Sequence, residues 1–274
     1  MSMTTFLRAL RGFARAWLKW PFYILYEKRL LAKSRDWRLP EHIGIVLDGN
    51  RRWARDQGMC NVVQGHARGA DHLHDVLDWC FQLNIRVVTV WVFSTENFRR
   101  DGDEVGALLD LIEQRTRSLV DNAQLHENQV RVRYIGRLNL LPESLQEAIA
   151  QAQEATADYD RFMLNVAIAY GGRQEITDAF RDYVADLCRR GEPMPEALDD
   201  MDPDALKPYL YTADMPDPDL LIRTSGEVRL SGFLLWQSAY SEYYFCDTFW
   251  PEFRHIDFLR ALRSYDRRHR RHGR

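Results

Sequence analysis

The chain has 274 residues, 46% apolar and 28% charged, with a net charge of −3, a balance that excludes a disordered or fibrous protein and suits one large α/β domain or two small ones. The four cysteines, Cys60, Cys80, Cys188 and Cys246, lack the C-x-x-C spacing of a zinc or redox site, so free thiols in a reducing compartment are expected. No apolar run approaches the ~18–20 residues of a membrane span and no small-residue cleavage site follows the amino-terminal stretch, so a cytoplasmic protein is expected.

The amino end is basic. Arg8, Arg11, Arg15, Lys19, Lys28, Arg29 and Lys33 meet only Glu27 as an acid, while Phe6, Leu10, Phe13 and Trp17 recur at helical spacing. Such a stripe suits peripheral contact with an anionic membrane, or packing on the protein itself or on a partner subunit. From there, β-branched and aromatic runs alternate with helical patterns. Strands are expected at His42 to Leu47, Arg86 to Phe93, Val130 to Ile135, Phe162 to Ala169, Leu220 to Arg223 and Tyr243 to Cys246. Helices are expected at Gly69 to Phe81, Glu104 to His126, Glu143 to Ala157, Gln174 to Arg190 and Ile256 to His269. Gly191 to Pro218, rich in proline and acids, reads as a surface excursion with one short helix. The result is an α/β fold, a mostly parallel six-stranded sheet flanked by helices in one catalytic domain (39–274) after an extension (1–38). The carboxyl end is arginine-rich, but without interleaved aromatics or a binding motif it does not make a nucleic-acid protein.

The chemistry follows the strands. Leu47 leads into Asp48-Gly49-Asn50-Arg51-Arg52-Trp53, Phe93 into Ser94-Thr95-Glu96-Asn97-Phe98-Arg99-Arg100, Ala169 into Tyr170-Gly171-Gly172-Arg173, and Arg223 into Thr224-Ser225-Gly226-Glu227. In a parallel sheet these clusters converge on one crevice at the carboxyl edge. Arg51, Arg52, Arg100, Arg223 and Arg229 are planar donors that match phosphate oxygens, and the glycines admit backbone N–H groups. Asp48 and Glu242 are hard oxygen ligands suited to Mg2+. Neither G-x-x-x-x-G-K-[ST] nor G-x-G-x-x-G occurs, which counts against nucleoside triphosphates and dinucleotides. His72-x-His74 reads as part of a solvated helix face rather than a metal site.

Five segments in order, His42 to Ala54, Phe93 to Asn97, Asn165 to Arg173, Asp219 to Glu227 and Phe233 through Glu242, resemble the cis-prenyltransferases, the undecaprenyl diphosphate synthase family, from about Leu39 onward. Among them the chain looks most like the short-chain actinobacterial Z-farnesyl diphosphate synthases. The resemblance implies a magnesium-dependent condensation of isopentenyl diphosphate with an allylic diphosphate, geranyl or farnesyl. It assigns Asp48 to magnesium and the departing diphosphate, with Gly49, Asn50, Arg51, Arg52, Trp53 and His66 around that diphosphate. Arg223, Arg229, Leu230 and Ser231 fall to isopentenyl diphosphate, Glu242 to the metal, and Ser94, Thr95, Glu96, Asn97, Phe98 and Arg100 to the reacting carbons. Asn97 is catalytic by position only, because an amide is a poor base. Arg271-His272-Gly273 matches a motif that reaches the partner's site and implies a homodimer.

Met59 to Gln64 lacks the arginine that many long-chain members carry there, and Arg51 stands where many have glycine. Strand alternation places Val92 on the face of Ser94, beneath the reacting carbons, where long-chain members carry alanine; a branched side chain there implies a short product. Three rival readings are a long-chain polyprenyl (decaprenyl or undecaprenyl) diphosphate synthase, a non-catalytic subunit of the same fold, disfavoured by the intact motifs, and a phosphate- or nucleic-acid-binding module.

Overall fold

Six β-rich segments, each returned to the same direction by a crossover, give a sheet in which every neighbouring pair is parallel. In a computed structural model of the chain, residues 23–191, 198 and 201–272 are described. The strands are β1 His42–Val46, β2 Val87–Trp91, β3 Val130–Ile135, β4 Phe162–Ala167, β5 Leu220–Arg223 and β6 Glu242–Phe245, in the order β3-β4-β2-β1-β5-β6. β1 and β5 are buried along their whole length, as strands covered on both faces must be. The chain builds outward from β1 to β2 and β3, then crosses back to place β5 on the other side of β1. That reversal opens a crevice at the carboxyl end of β1.

The expected strands hold, with shifted ends. Sequence alternation carries β2 to Phe93, but the ladder stops at Trp91 because the amides of Val92 and Phe93 both donate to the Ala167 carbonyl, at 3.0 and 3.4 Å. Val92 and Phe93 are thereby turned onto the rim.

After α1 (23–34), the helices are α2 Asn50–Asp56, α3 Val63–Gln82, α4 Gly102–Leu119, α5 Ala123–Glu127, α6 Glu143–Ala155, α7 Gly172–Arg190 and α8 His255–His272. The single helix expected from Glu104 to His126 is split, because Asn122 accepts the Leu125 N–H at 3.1 Å and starts a new helix. The motif after β1, to which the sequence pattern assigns no element, is helical: Gly49, at φ 104°, turns the chain, and α2 begins at the next residue. Gly65 and Gly69, one turn apart on α3, let α2 come close; a Cβ at either would strike Asn50. His72 is a core residue rather than part of a solvated face: Nδ1 meets Asp75 at 3.0 Å, Nε2 meets the Phe253 carbonyl at 2.5 Å, and the ring packs on Trp250. Of the excursion after α7, the described part holds one short 3-10 helix, Pro203–Tyr209. The cysteines are unpaired.

The chain divides into two compact units, Pro40–Phe253 and a second made of the amino-terminal residues to Leu39 with those from Arg254 onward. In the second, His255 Nδ1 meets Glu27 at 2.9 Å, Arg263 donates to the Tyr26 hydroxyl at 2.9 Å, and the Arg38 N–H donates to Asp266 at 3.1 Å. The carboxyl-terminal helix thus groups with α1. The Phe6 to Trp17 stripe lies outside the described residues.

Candidate active site

At the carboxyl edge, β1 and β5 present Asp48 and Arg223 side by side. Parallel pairing sets Val46 against Arg223, so a carboxylate two residues beyond β1 meets a guanidinium at the end of β5. Arg223 Nη2 donates to Asp48 Oδ2 at 2.7 Å, while Nη1 donates to Ser231 Oγ at 2.8 Å and to the Arg229 carbonyl. The Thr224 hydroxyl donates to the Asp48 carbonyl at 2.7 Å, which fixes the backbone beneath the pair. Burial pushes the Asp48 carboxyl up, but the Arg223 hydrogen bond and charge, with Ser225 and Arg52, bring it below its ordinary value. Asp48 is therefore ionised at neutral pH.

Around this pair lies a cleft of about 560 Å³. From the α2 side it is walled by Gly49, Asn50, Arg51 and Arg52; from the β2 side by Val92, Ser94, Asn97 and Arg100; from beyond β5 by Arg223, Arg229 and Ser231, with His66 from α3. Its arginines are paired with carboxylates the motif reading did not single out. Glu104, in the first turn of α4, lies 3.3 Å from Arg51 and 3.2 Å from Arg100, and Glu227 lies 3.0 Å from Arg52 and beside Arg229. Glu104 stands four residues after Arg100, a spacing that signals a pair only once α4 is known to begin at Gly102. Arg55, one turn beyond Arg51 on α2, also faces the cleft. Burial, with the charges of Arg100 and Arg51, holds the His66 imidazole down to about 4, so it is neutral.

Several expected residues stand elsewhere. Trp53 turns away to donate to Glu252 at 3.0 Å, and Phe98 packs edge-on against Phe93. Thr95 and Glu96 sit in a 3-10 turn outside the cleft lining, and Leu230 packs on the apolar core. Asn97 lines the cleft, and its Oδ1 accepts the Ser94 N–H at 3.0 Å as a cap on that turn, which fixes the amide in place. Glu242 begins β6 in register with Leu220, three residues before Arg223 and about 10 Å along the strands from the carboxyl edge. Within one chain Glu242 is therefore not brought to Asp48. Among the described residues no three His, Cys, Asp or Glu side chains gather into a metal cage. The ionised Asp48 carboxylate beside phosphate-matching donors fits magnesium, which takes one or two carboxylates and completes its shell with phosphate oxygens and water.

An apolar cavity of about 120 Å³ adjoins the cleft, and Leu47, Asn50, His66 and Val92 line both. Its sides are Leu73 and Leu77 of α3, Leu108, Leu111 and Ile112 of α4, and Leu164 and Val166 of β4. Thr116 and Tyr134, hydrogen-bonded to each other at 2.8 Å, also line it, with Arg115, which meets Asp71 at 2.7 Å. A charged cleft continuous with an apolar cavity is the container an amphiphilic diphosphate requires.

A family model described as a putative undecaprenyl diphosphate synthase matches residues 46–273. A tritrans,polycis-undecaprenyl-diphosphate synthase (geranylgeranyl-diphosphate specific) of Methanopyrus kandleri is 50% identical, over 97% of this chain and 96% of that protein. An isoprenyl transferase of Deinococcus radiodurans is 47% identical over 90% of each. The crystal structure of lavandulyl diphosphate synthase from Lavandula x intermedia, in complex with dimethylallyl diphosphate, superposes with a TM-score of 0.75 at 35% identity, covering 83% of this chain and 95% of that one. The chain belongs to the undecaprenyl diphosphate synthase family and is a cis-prenyltransferase.

Proposed function

We propose that this transferase condenses isopentenyl diphosphate with geranyl or farnesyl diphosphate to give a short Z-prenyl diphosphate, which from geranyl diphosphate is Z,E-farnesyl diphosphate. The observation that carries the proposal is the position of Val92, in the wall of the cleft and of the apolar cavity at once. A tail growing from the cleft passes Val92 first, and a packed interior yields little to an extra methylene. Gly49, Asn50, Arg51 and Arg52 hold the allylic diphosphate, and Arg223, Arg229 and Ser231 the isopentenyl diphosphate. Incoming phosphate oxygens offer these arginines the same paired acceptors that Glu104 and Glu227 provide.

As the allylic C–O bond breaks, negative charge collects on the leaving diphosphate, where Arg51 and Arg52 stabilise it. Asp48 would hold magnesium, which would supply further stabilisation of that charge. The isopentenyl alkene attacks the allylic carbon, and the new cation loses a proton. An amide such as Asn97 is a poor base, so the proton passes to Asp48 or to an oxygen of the departed diphosphate.

A homodimer follows from the resemblance of Arg271-His272-Gly273, a segment outside the residues whose side chains are described. Light scattering on the purified protein tests it. No described helix is long and apolar enough to cross a membrane. Incubation with magnesium, isopentenyl diphosphate and each starter, followed by chromatography of the products, tests the product itself. A short product is expected. Long polyprenyl chains overturn it in favour of a long-chain polyprenyl diphosphate synthase, the reading that the name of the Methanopyrus relative favours.

A further inference from the structure

The second compact unit carries a cavity of its own, of about 360 Å³, formed by α1, Trp37 and α8. Tyr26, Arg29, Leu30 and Lys33 lie at i, i+3, i+4 and i+7 on one face of α1, and α8 adds Arg263, Asp266 and Arg267. Four cations thus share a concave space with one acid. Asp266 is buried and accepts the Arg38 N–H, and Arg263 is tied to the Tyr26 hydroxyl. Among the described residues, Arg29, Lys33 and Arg267 form no ion pair with a carboxylate. Like charges gathered without compensation destabilise the fold unless an anion joins them. The size is that of a small-ligand site. The anion is further specified by what adjoins the cavity: Tyr23, Ile24 and Leu25 on the same helix are exposed, Leu25 by 67%, and Leu25 continues the row of Arg29 and Lys33 at four-residue spacing. A phosphate alone has no use for that apolar end; a phosphate on an acyl chain satisfies both.

We infer that this cavity is a seat for the phosphomonoester headgroup of an anionic lipid, which docks the protein on a membrane surface with Tyr23, Ile24 and Leu25 at the acyl boundary. A phosphomonoester carries close to two negative charges and three acceptor oxygens, which matches the three uncompensated cations better than a singly charged phosphodiester does.

The test uses the full chain and flotation with vesicles of phosphatidylcholine containing either phosphatidic acid or phosphatidylglycerol, matched in surface charge. Wild type is expected to prefer phosphatidic acid. The Arg29→Ala/Lys33→Ala/Arg267→Ala variant loses that preference and about 100-fold in partition, since each cation at an anionic surface contributes about fivefold. A variant of equal charge loss, Arg8→Ala/Arg11→Ala/Arg15→Ala, weakens binding to both vesicles alike and keeps the preference. Circular dichroism and condensation of soluble substrates control for folding and are expected to match wild type in both variants, which separates this inference from the proposed reaction. Absence of a preference in wild type, or its survival in the cavity variant, overturns the proposal. Calorimetric binding of inorganic diphosphate at a second site beyond the active site, lost in the cavity variant and without any vesicle preference, assigns the site to a free anion and overturns the lipid reading. Saturable RNA binding lost in the same variant, again without vesicle preference, overturns it likewise.

Discussion

Replacing Asp48 by asparagine separates catalysis from folding. The substitution keeps the shape of the side chain and removes its charge. Arg223, only 8% exposed in its side chain, then loses its counter-charge at 2.7 Å but retains Ser231 and the Arg229 carbonyl, and the new amide oxygen still accepts from it. A hydrogen bond to a charged group contributes ~1.5–3 kcal/mol and a neutral acceptor roughly half that, so the net stability loss is about 1–2 kcal/mol. For a protein of this size each kcal/mol shifts Tm by about 2–4 °C, which places the expected drop at roughly 2–8 °C. The loss in rate is larger. Removing one group that stabilises transition-state charge costs about 10²–10³ in kcat. The assay pairs calorimetric melting with initial rates of isopentenyl diphosphate incorporation across a magnesium titration. Turnover within a few-fold of wild type, at any magnesium concentration, refutes the role given to Asp48; a large stability loss with matching loss of activity makes it structural instead.

Val92→Ala is expected to lengthen the products, because it removes two methyl groups from the neck between cleft and cavity; chromatography of the prenyl chains reads the shift, and an unchanged distribution places length control elsewhere. His42 is buried, with Nδ1 2.7 Å from the Pro216 carbonyl and Nε2 2.7 Å from Thr89, and burial pushes its imidazole down to about 4. The unfolded chain, titrating near ~6.5, then binds the extra proton first, so His42 stabilises the fold fully above that pH and loses up to about 3 kcal/mol as pH falls to about 4. Urea denaturation across that window checks it, and a His42→Asn variant with the same pH slope as wild type counts against it. Gly49→Ala should cost about 1–3 kcal/mol, since φ is 104° and the new Cβ would lie 2.7 Å from Phe249; thermal melting within error of wild type would show that the turn relaxes freely.

The strands, the clusters that follow them and the convergence of Asp48 with the arginines were legible in the chain itself. Alternation is a local property, and a parallel sheet necessarily brings the carboxyl ends of its strands to one edge. Val92 was legible only as a residue at the end of β2 near Ser94; the alternation that places it stops at Trp91, and the broken ladder turns it toward the cleft. Pairing between distant segments was not. Asp48 and Arg223 stand 175 residues apart, and which arginine meets Asp48, Glu104 or Glu227 depends on how helices seat against the sheet. Glu242 shows the limit: its residue type suits a metal, but the register of β6 against β5 sets it three residues short of the edge. Asn97 shows another, for whether an amide oxygen is free or caps a turn is decided by the local backbone rather than by its motif. The grouping of α8 with α1, and the basic cavity it creates, joins the two ends of the described chain. Contacts of that span leave no periodicity in the sequence, because they are selected by burial and charge after the elements have formed.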